Sequence, residues 1–329
     1  MVAKTKLTDE RDYFKPFNYP WAYEAWLKHE QSHWLHTEVP MAEDAKDWKD
    51  KCTDPEKAFL TNIFRFFVQG DIDVAGGYIN NYLPYFPQPE VRMMLSGFAA
   101  REALHVAAYA HLIETLGMPE STYSEFLEYQ TMADKHDYFM ELSAANGTPE
   151  SVATNIAAFS AFTEGMQLFS SFIMLLNFPR HGKMKGMGQI VTYSIRDESM
   201  HVEAMTKLFR EFIQENLDIW TDDFKKELYQ ICREMVALED KFLDLVFEMG
   251  DLQGLTKKDM YAYNRYIADR RLLQLGLKTN YDQRENPLGW IDEVTGVEHQ
   301  NFFEGRATTY MKAGLRGRQN NITFSNFEK

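Results

Sequence analysis

Cysteine is nearly absent: the 329 residues contain only Cys52 and Cys232. The two stand far apart and in no metal-ligand spacing, which excludes a disulfide framework and points to a reducing compartment, the cytoplasm. Positive charge is also in deficit, with 35 Lys and Arg against 49 Asp and Glu and a formal net charge of −14. That balance argues against a nucleic-acid-binding surface. No Gly-rich phosphate loop occurs, so no nucleotide site is expected. The most apolar run, Met166 to Phe178, is too short to cross a bilayer and is interrupted by Gln167, Ser170, Ser171 and Asn177. The first residues, MVAKTKLTDERDY, lack the apolar core of a secretory signal. These absences leave the expectation of a soluble cytoplasmic protein with neither membrane nor nucleic acid as partner. Its 45% hydrophobic content is enough for a substantial core.

What is present is helical periodicity almost throughout. The pattern predicts helices over about 20–33, 55–83, 89–116, 122–145, 149–176, 189–214, 221–250 and 256–274. Asp54-Pro55 and Thr148-Pro149 read as helix starts, Gly117 and Asn146-Gly147 as stops, and Pro179 through Gly188 as a break. No strand pattern competes. Long helices joined by short turns define an all-α bundle. Residues 280–303 mix Pro, Gly, Asp and aromatics, which suggests ordered irregular structure. The division expected is one domain over residues 1–310 and a flexible C-terminal tail over 311–329.

Two Glu-x-x-His motifs stand out, Glu102-Ala-Leu-His105 and Glu198-Ser-Met-His201, each inside a long predicted helix. Positions i and i+3 share a helix face, so each motif aims a carboxylate and an imidazole at one point. About thirty residues before each motif, another helix carries a carboxylate on an apolar face. Asp71 has Phe64, Phe67, Val68, Val74, Ala75 and Tyr78 as helical neighbours, and Glu164 is the sole acidic residue between Glu150 and Asp197. A carboxylate in such company is costly without a cation or strong donors. Asp73 points to roughly the opposite face from Asp71 and is the weaker candidate. A third motif, Glu30-Gln-Ser-His33, lies among polar residues with no companion carboxylate helix and is set aside. Two Glu-x-x-His helices and two carboxylate helices make the ligand set of a ferritin-like dimetal-carboxylate bundle. Carboxylates with two imidazoles suit iron or manganese. Two irons are the first expectation, with two manganese or a mixed pair as alternatives.

Tyr109 follows His105 by four residues, on the same face and roughly 6 Å further along the axis. Elsewhere it would read as a core tyrosine; beside a metal pair it is placed to be oxidised.

Several stretches together resemble the radical-generating small (beta) subunit of class I ribonucleotide reductase. They are YPWAYEAWLKHEQSHW ending at Trp34, FFVQGD ending at Asp71, REALHVAAY ending at Tyr109, FTEG around Glu164, IRDESMH ending at His201 and FFEGRATTY ending at Tyr310. The resemblance implies metal ligation by Asp71, Glu102, His105, Glu164, Glu198 and His201, and a radical on Tyr109. It implies that Trp34 and Asp197 link the metal site outward through His105. Tyr310, assisted by Glu304, would relay the radical to the large catalytic subunit, on which the tail ending FSNFEK docks. It further implies a homodimer, activation by dioxygen or superoxide, and room for an activating flavoprotein. The sequence departs from the family around Tyr109, where the neighbouring positions are Leu168, Phe172 and a polar Ser194. Two alternatives stay open: a ferritin-like dimetal oxidase acting on its own bound substrate, and an iron-storage or structural bundle.

Overall fold

The computed structural model describes residues 6–143 and 147–291. Among these, eight helices of twelve residues or more build the fold. They are α1 (Pro20–Gln31), α2 (Asp54–Gly77), α3 (Pro89–Thr115), α4 (Gln130–Ser143), α5 (Pro149–Arg180), α6 (Lys185–Glu215), α7 (Asp222–Val246) and α8 (Lys257–Gln274). Among the described residues the only β pairing is an isolated bridge between Leu252 and Leu255. The chain divides into two compact units, Met1–Pro287 and Leu288–Lys329, and all eight helices belong to the first. The expected boundary at residue 310, with Glu304, Tyr310 and the tail, lies outside the described residues.

Helix α2 packs on α3, and α5 on α6. Each pair joins a lone-carboxylate helix to a Glu-x-x-His helix, so the approximate repeat seen in sequence is also a repeat in packing. Helix α1 lies along α3, while α7 and α8 pack on α5. Long and apolar enough to cross a membrane, α5 is wholly buried within the bundle over its most apolar window.

Local chemistry explains most helix limits. Thr53, rather than Asp54, caps α2: its side chain accepts from Glu56 N while Glu56 accepts from Thr53 N, and Pro55 stands in the first turn. Thr148 caps α5 as expected, and Gly117, at φ 71°, takes the left-handed position that stops α3. The segment expected as one helix over 122–145 is instead two single turns, Glu120–Tyr123 and Glu125–Glu128, followed by α4.

The break expected over Pro179–Gly188 is shorter than predicted. Helix α5 runs through Pro179 to Arg180, and α6 begins at Lys185. A remote segment allows that early start. The carboxylate of buried Asp44 accepts from Gly186 N at 2.9 Å and Met187 N at 2.6 Å, and Asp47 accepts from Met184 N at 2.9 Å. These acceptors satisfy the free N–H groups at the helix start, work ordinarily done by an adjacent cap.

Within α5, Ala157–Leu168 is wound as a π-helix, and Tyr78–Tyr82 extends α2 in the same way. Wide turns of this kind recur at functional sites. Partners fix the wide turn in α5: Thr163 Oγ1 donates to Ala158 O at 3.1 Å, and Arg271 Nε of α8 donates to Gly165 O at 2.7 Å. A Cβ on Gly165 would lie 2.5 Å from Arg271 Nε and 3.1 Å from Ser160 O, so the approach needs glycine. Gly165→Ala is therefore expected to destabilise the protein by about 1–3 kcal/mol through overpacking. A lowered midpoint in thermal unfolding would show it, and an unchanged midpoint would contradict the close approach.

Candidate metal centre

Helices α2, α3, α5 and α6 bring Asp71, Glu102, His105, Glu164, Glu198 and His201 together in the bundle core. All six are at most 1% exposed. Their donor atoms fall into two groups, Asp71–Glu102–His105 and Glu102–Glu164–Glu198–His201. The carboxylates of the two motifs each span both halves. Glu102 places Oε2 3.2 Å from His105 Nδ1 and Oε1 2.9 Å from His201 Nδ1. Glu198 places Oε1 3.1 Å from His105 Nδ1 and Oε2 3.3 Å from His201 Nδ1. Glu164 Oε1 lies 3.6 Å from His201 Nδ1.

These contacts are close without being hydrogen bonds in most cases. Asp71 Oδ2, Glu102 Oε1, both Glu198 oxygens and His201 Nδ1 are buried with no hydrogen-bond partner. Buried polar atoms are ordinarily paired, so a set of them converging on one space fits divalent cations. Oxygen-rich ligands with imidazole suit iron or manganese. The cluster is a candidate dimetal site in which Glu102 and Glu198 each reach both histidines.

Charge makes the same point. Burial and the neighbouring carboxylates push the Asp71 carboxyl well above its ordinary range, and burial lifts Glu164 to about 8. Burial opposes the charge on both histidines, but facing carboxylates outweigh it and raise His105 and His201 well above the usual histidine value. Glu102 is pulled to about 2 because His105 and His201 outweigh its burial. Four carboxylates against two imidazoles thus hold protons that cations can displace.

Several supporting residues escaped sequence reasoning. Tyr78, recognised there only as an apolar neighbour of Asp71, donates to Glu164 at 2.8 Å. Asp197 Oδ2 faces His105 Nε2 at 3.4 Å and accepts from Trp34 Nε1 and Arg101 Nη1, each at 2.7 Å. Arg196 holds its other oxygen at 3.0 Å. His105, Arg101 and Arg196 overcome burial and keep Asp197 charged. Arg101, immediately before Glu102 in the chain, offered no sequence signal that it pairs with Asp197. His29 of α1 was also missed: buried, it sets Nε2 3.2 Å from His201 Nε2, and burial lowers it to about 2. The motif set aside beside it stays apart, since α1 ends at Gln31 and both Glu30 and His33 are exposed. Asp73 pairs with His136 at 2.8 Å, away from the cluster.

Tyr109 is buried one turn beyond His105. Its hydroxyl donates to Ser194 Oγ at 3.0 Å, and Ser194 donates to Ile190 O. Phe67 meets the Tyr109 ring edge-on at 4.4 Å between centroids, and Phe172 packs behind Phe67. Of the three neighbours expected, Ser194 makes the polar contact, Phe172 acts through Phe67, and Leu168 approaches Gly70 of α2.

A four-helix core holding four carboxylates and two histidines defines the ferritin-like dimetal-carboxylate class of protein. Within that class the chain matches the family described as ribonucleotide reductase, small chain, over residues 11–287, and it belongs to that family. It is 47% identical to the probable ribonucleoside-diphosphate reductase small subunit 376L of Invertebrate iridescent virus 6, covering 93% of this chain and 96% of that one. It is 31% identical to the ribonucleoside-diphosphate reductase subunit beta of Chlamydia pneumoniae, over 91% of this chain and 90% of that one. The ribonucleotide reductase R2 subunit from Clostridium botulinum superposes with a TM-score of 0.79 at 24% identity, covering 84% of this chain and 88% of that chain. A dimanganese(II)-NrdF from Streptococcus sanguinis superposes at 0.67 and 20% identity, over 84% and 97%. The protein is thus the small subunit of an oxidoreductase that works with a large subunit, and the similarity runs to reductases rather than to oxidases with their own substrate.

Because Glu102 belongs to both donor groups and Asp71 to one, the two should differ on substitution. Glu102→Ala is expected to abolish metal uptake at both positions and Asp71→Ala at one, as read by metal analysis of the purified chain. Uptake should also tighten as pH rises from 6 to 8. The protonated state of Glu164 lies below about 8, and binding must eject its proton. Affinity independent of pH in that window would contradict this protonation pattern.

Proposed function

We propose that this subunit generates and holds the radical that starts ribonucleotide reduction in the large subunit, with Asp71, Glu102, His105, Glu164, Glu198 and His201 as ligands of a metal pair. Two irons are the first assignment, and two manganese or a mixed pair are the alternatives that the same donor set accepts. When bound, the metals supply one-electron oxidising power drawn from dioxygen or superoxide.

The chain's own residues do the rest. Tyr109, whose phenol proton burial holds firmly, would give up its electron and proton toward the metal site, where Asp71 is the carboxylate that acts on it most strongly. Ser194 Oγ, too weak a base to keep the proton, orients the phenol. Ser194 makes this pocket more polar than an all-apolar one, which favours keeping the oxidising equivalent on the metals instead. Asp197 fixes the proton of His105 on Nε2 and the indole N–H of Trp34 on its own Oδ2, so that an electron can pass inward from Trp34. The observation that carries the reading is this run of contacts from His105 through Asp197 to Trp34, all three buried. A storage bundle has no use for it. Glu304 and Tyr310 continue the relay in this proposal, the tail docks the large subunit, and the small subunit works as a homodimer, with a flavoprotein supplying the oxidant where superoxide is used.

The metal and the seat of the radical separate in one experiment. Metal-free protein is treated with Fe(II) and dioxygen, or with Mn(II) and superoxide, and its EPR spectrum recorded. A doublet that disappears in Tyr109→Phe assigns the radical to tyrosine, and a multiline manganese signal that survives assigns it to the metals. No oxidised centre with either pair, despite full loading, sinks the proposal. Trp34→Phe should retain the oxidised centre yet lose at least about 100-fold in ribonucleotide reduction with the large subunit, about 2.7 kcal/mol in barrier. Near-normal turnover would remove Trp34 from the path.

A further inference from the structure

The two histidines of the cluster turn their back nitrogens to unlike partners. His105 Nε2 faces the Asp197 carboxylate, itself held by Arg101, Arg196 and Trp34. His201 Nε2 faces the imidazole of His29 at 3.2 Å. His29 sits in the last turn of α1 and is 1% exposed. Its ring reaches the bundle because α1 approaches α3 closely at Gly97, where a Cβ would lie 3.2 Å from Trp26 Cδ1 and 3.5 Å from His29 Nδ1. Phe98 lies over His201, with centroids 4.3 Å apart, and meets His29 edge-on at 5.0 Å. Arg101 Nη2 donates to the His29 carbonyl at 3.3 Å, tying the end of α1 to the group that holds Asp197.

The tautomers follow from these contacts. His201 Nδ1 points at Glu102, Glu198 and Glu164, at 2.9, 3.3 and 3.6 Å. A lone pair offered there to a cation requires the ring proton on Nε2. Two ring nitrogens 3.2 Å apart share one proton, so His29 Nε2 must be the acceptor. The proton of His29 is then on Nδ1, which has no hydrogen-bond partner among the described residues; the Glu30 carboxylate is 3.8 Å away.

We propose that His29 is a positioning residue that accepts the Nε2 proton of His201 and so fixes the His201 Nδ1 lone pair on the metal position formed with Glu164. Outer partners of ligating histidines are mostly carboxylates or carbonyls, and a carboxylate raises the basicity of the ligand. Here one metal position has a histidine backed by a carboxylate and the other a histidine backed by a neutral ring. The two positions therefore differ in affinity although their inner ligands are nearly matched. The inference rests on the six-residue metal centre proposed above.

Metal-free full-length wild type, His29→Leu and His29→Gln are titrated with Mn(II), and unbound Mn(II) is followed by EPR. Wild type is expected to take two equivalents. His29→Leu should bind one as wild type does and the other about 10- to 100-fold more weakly, the usual loss when an outer partner is removed. His29→Gln, whose amide oxygen can accept the same proton, should stay close to wild type; a merely structural role gives no such rescue. His29→Leu binding both equivalents like wild type overturns the proposal, as does folded His29→Gln binding no better than His29→Leu. Wild type taking fewer than two equivalents overturns the metal centre itself and this inference with it. If His29→Leu does not fold, the wild type decides. Loaded with Zn(II) and labelled with 15N-histidine, it should show a nitrogen–nitrogen coupling across the His201–His29 hydrogen bond. A His201 Nε2–H without that coupling overturns the assignment.

Discussion

Four carboxylates buried around two imidazoles are the constraint to which the rest of the structure answers. An unpaired carboxylate in an apolar core is costly, and this bundle gathers four into two groups that share Glu102. Protons or cations must accompany them. The long helices are the scaffold for that requirement, because groups from four elements can converge only if each backbone is rigid and self-satisfied in hydrogen bonds. Even the irregular windings serve it. The π-wound stretch of α5 carries Glu164, the π-wound end of α2 carries its partner Tyr78, and Arg271 of α8 holds the wide turn in place.

Around this charged centre the environment is unequal by direction. Toward Trp34 lie an anion and two arginines. Toward Tyr109 lie Phe67, Phe172 and a single hydroxyl. Toward α1 lies a neutral histidine under Phe98. The groups of this core thus sit in three different settings, and such differences separate the roles of chemically similar groups.

The sequence made the helices legible because apolar periodicity and caps are local signals. It made the buried cluster legible because Glu-x-x-His is a local spacing and because Asp71 and Glu164 stand out as charges on apolar faces. Where a boundary depended on a distant group, the reading failed. The start of α6 was placed too late because Asp44, far away in the chain, supplies its cap. The region before α4 kept helical periodicity but folds as two separate turns, and periodicity does not report where a helix is interrupted.

The sequence by itself determined the class: an all-α bundle with two Glu-x-x-His helices, two carboxylate helices and a tyrosine one turn beyond a motif histidine. All of these follow from spacings shorter than about a helix length, together with motif resemblance. Only the tertiary structure decided which groups stand behind the clustered carboxylates and histidines. Arg101 on Asp197, Tyr78 on Glu164 and His29 on His201 each join different helices. A pairing between helices is set by how they cross and how closely they approach, and no periodicity within one chain segment encodes that.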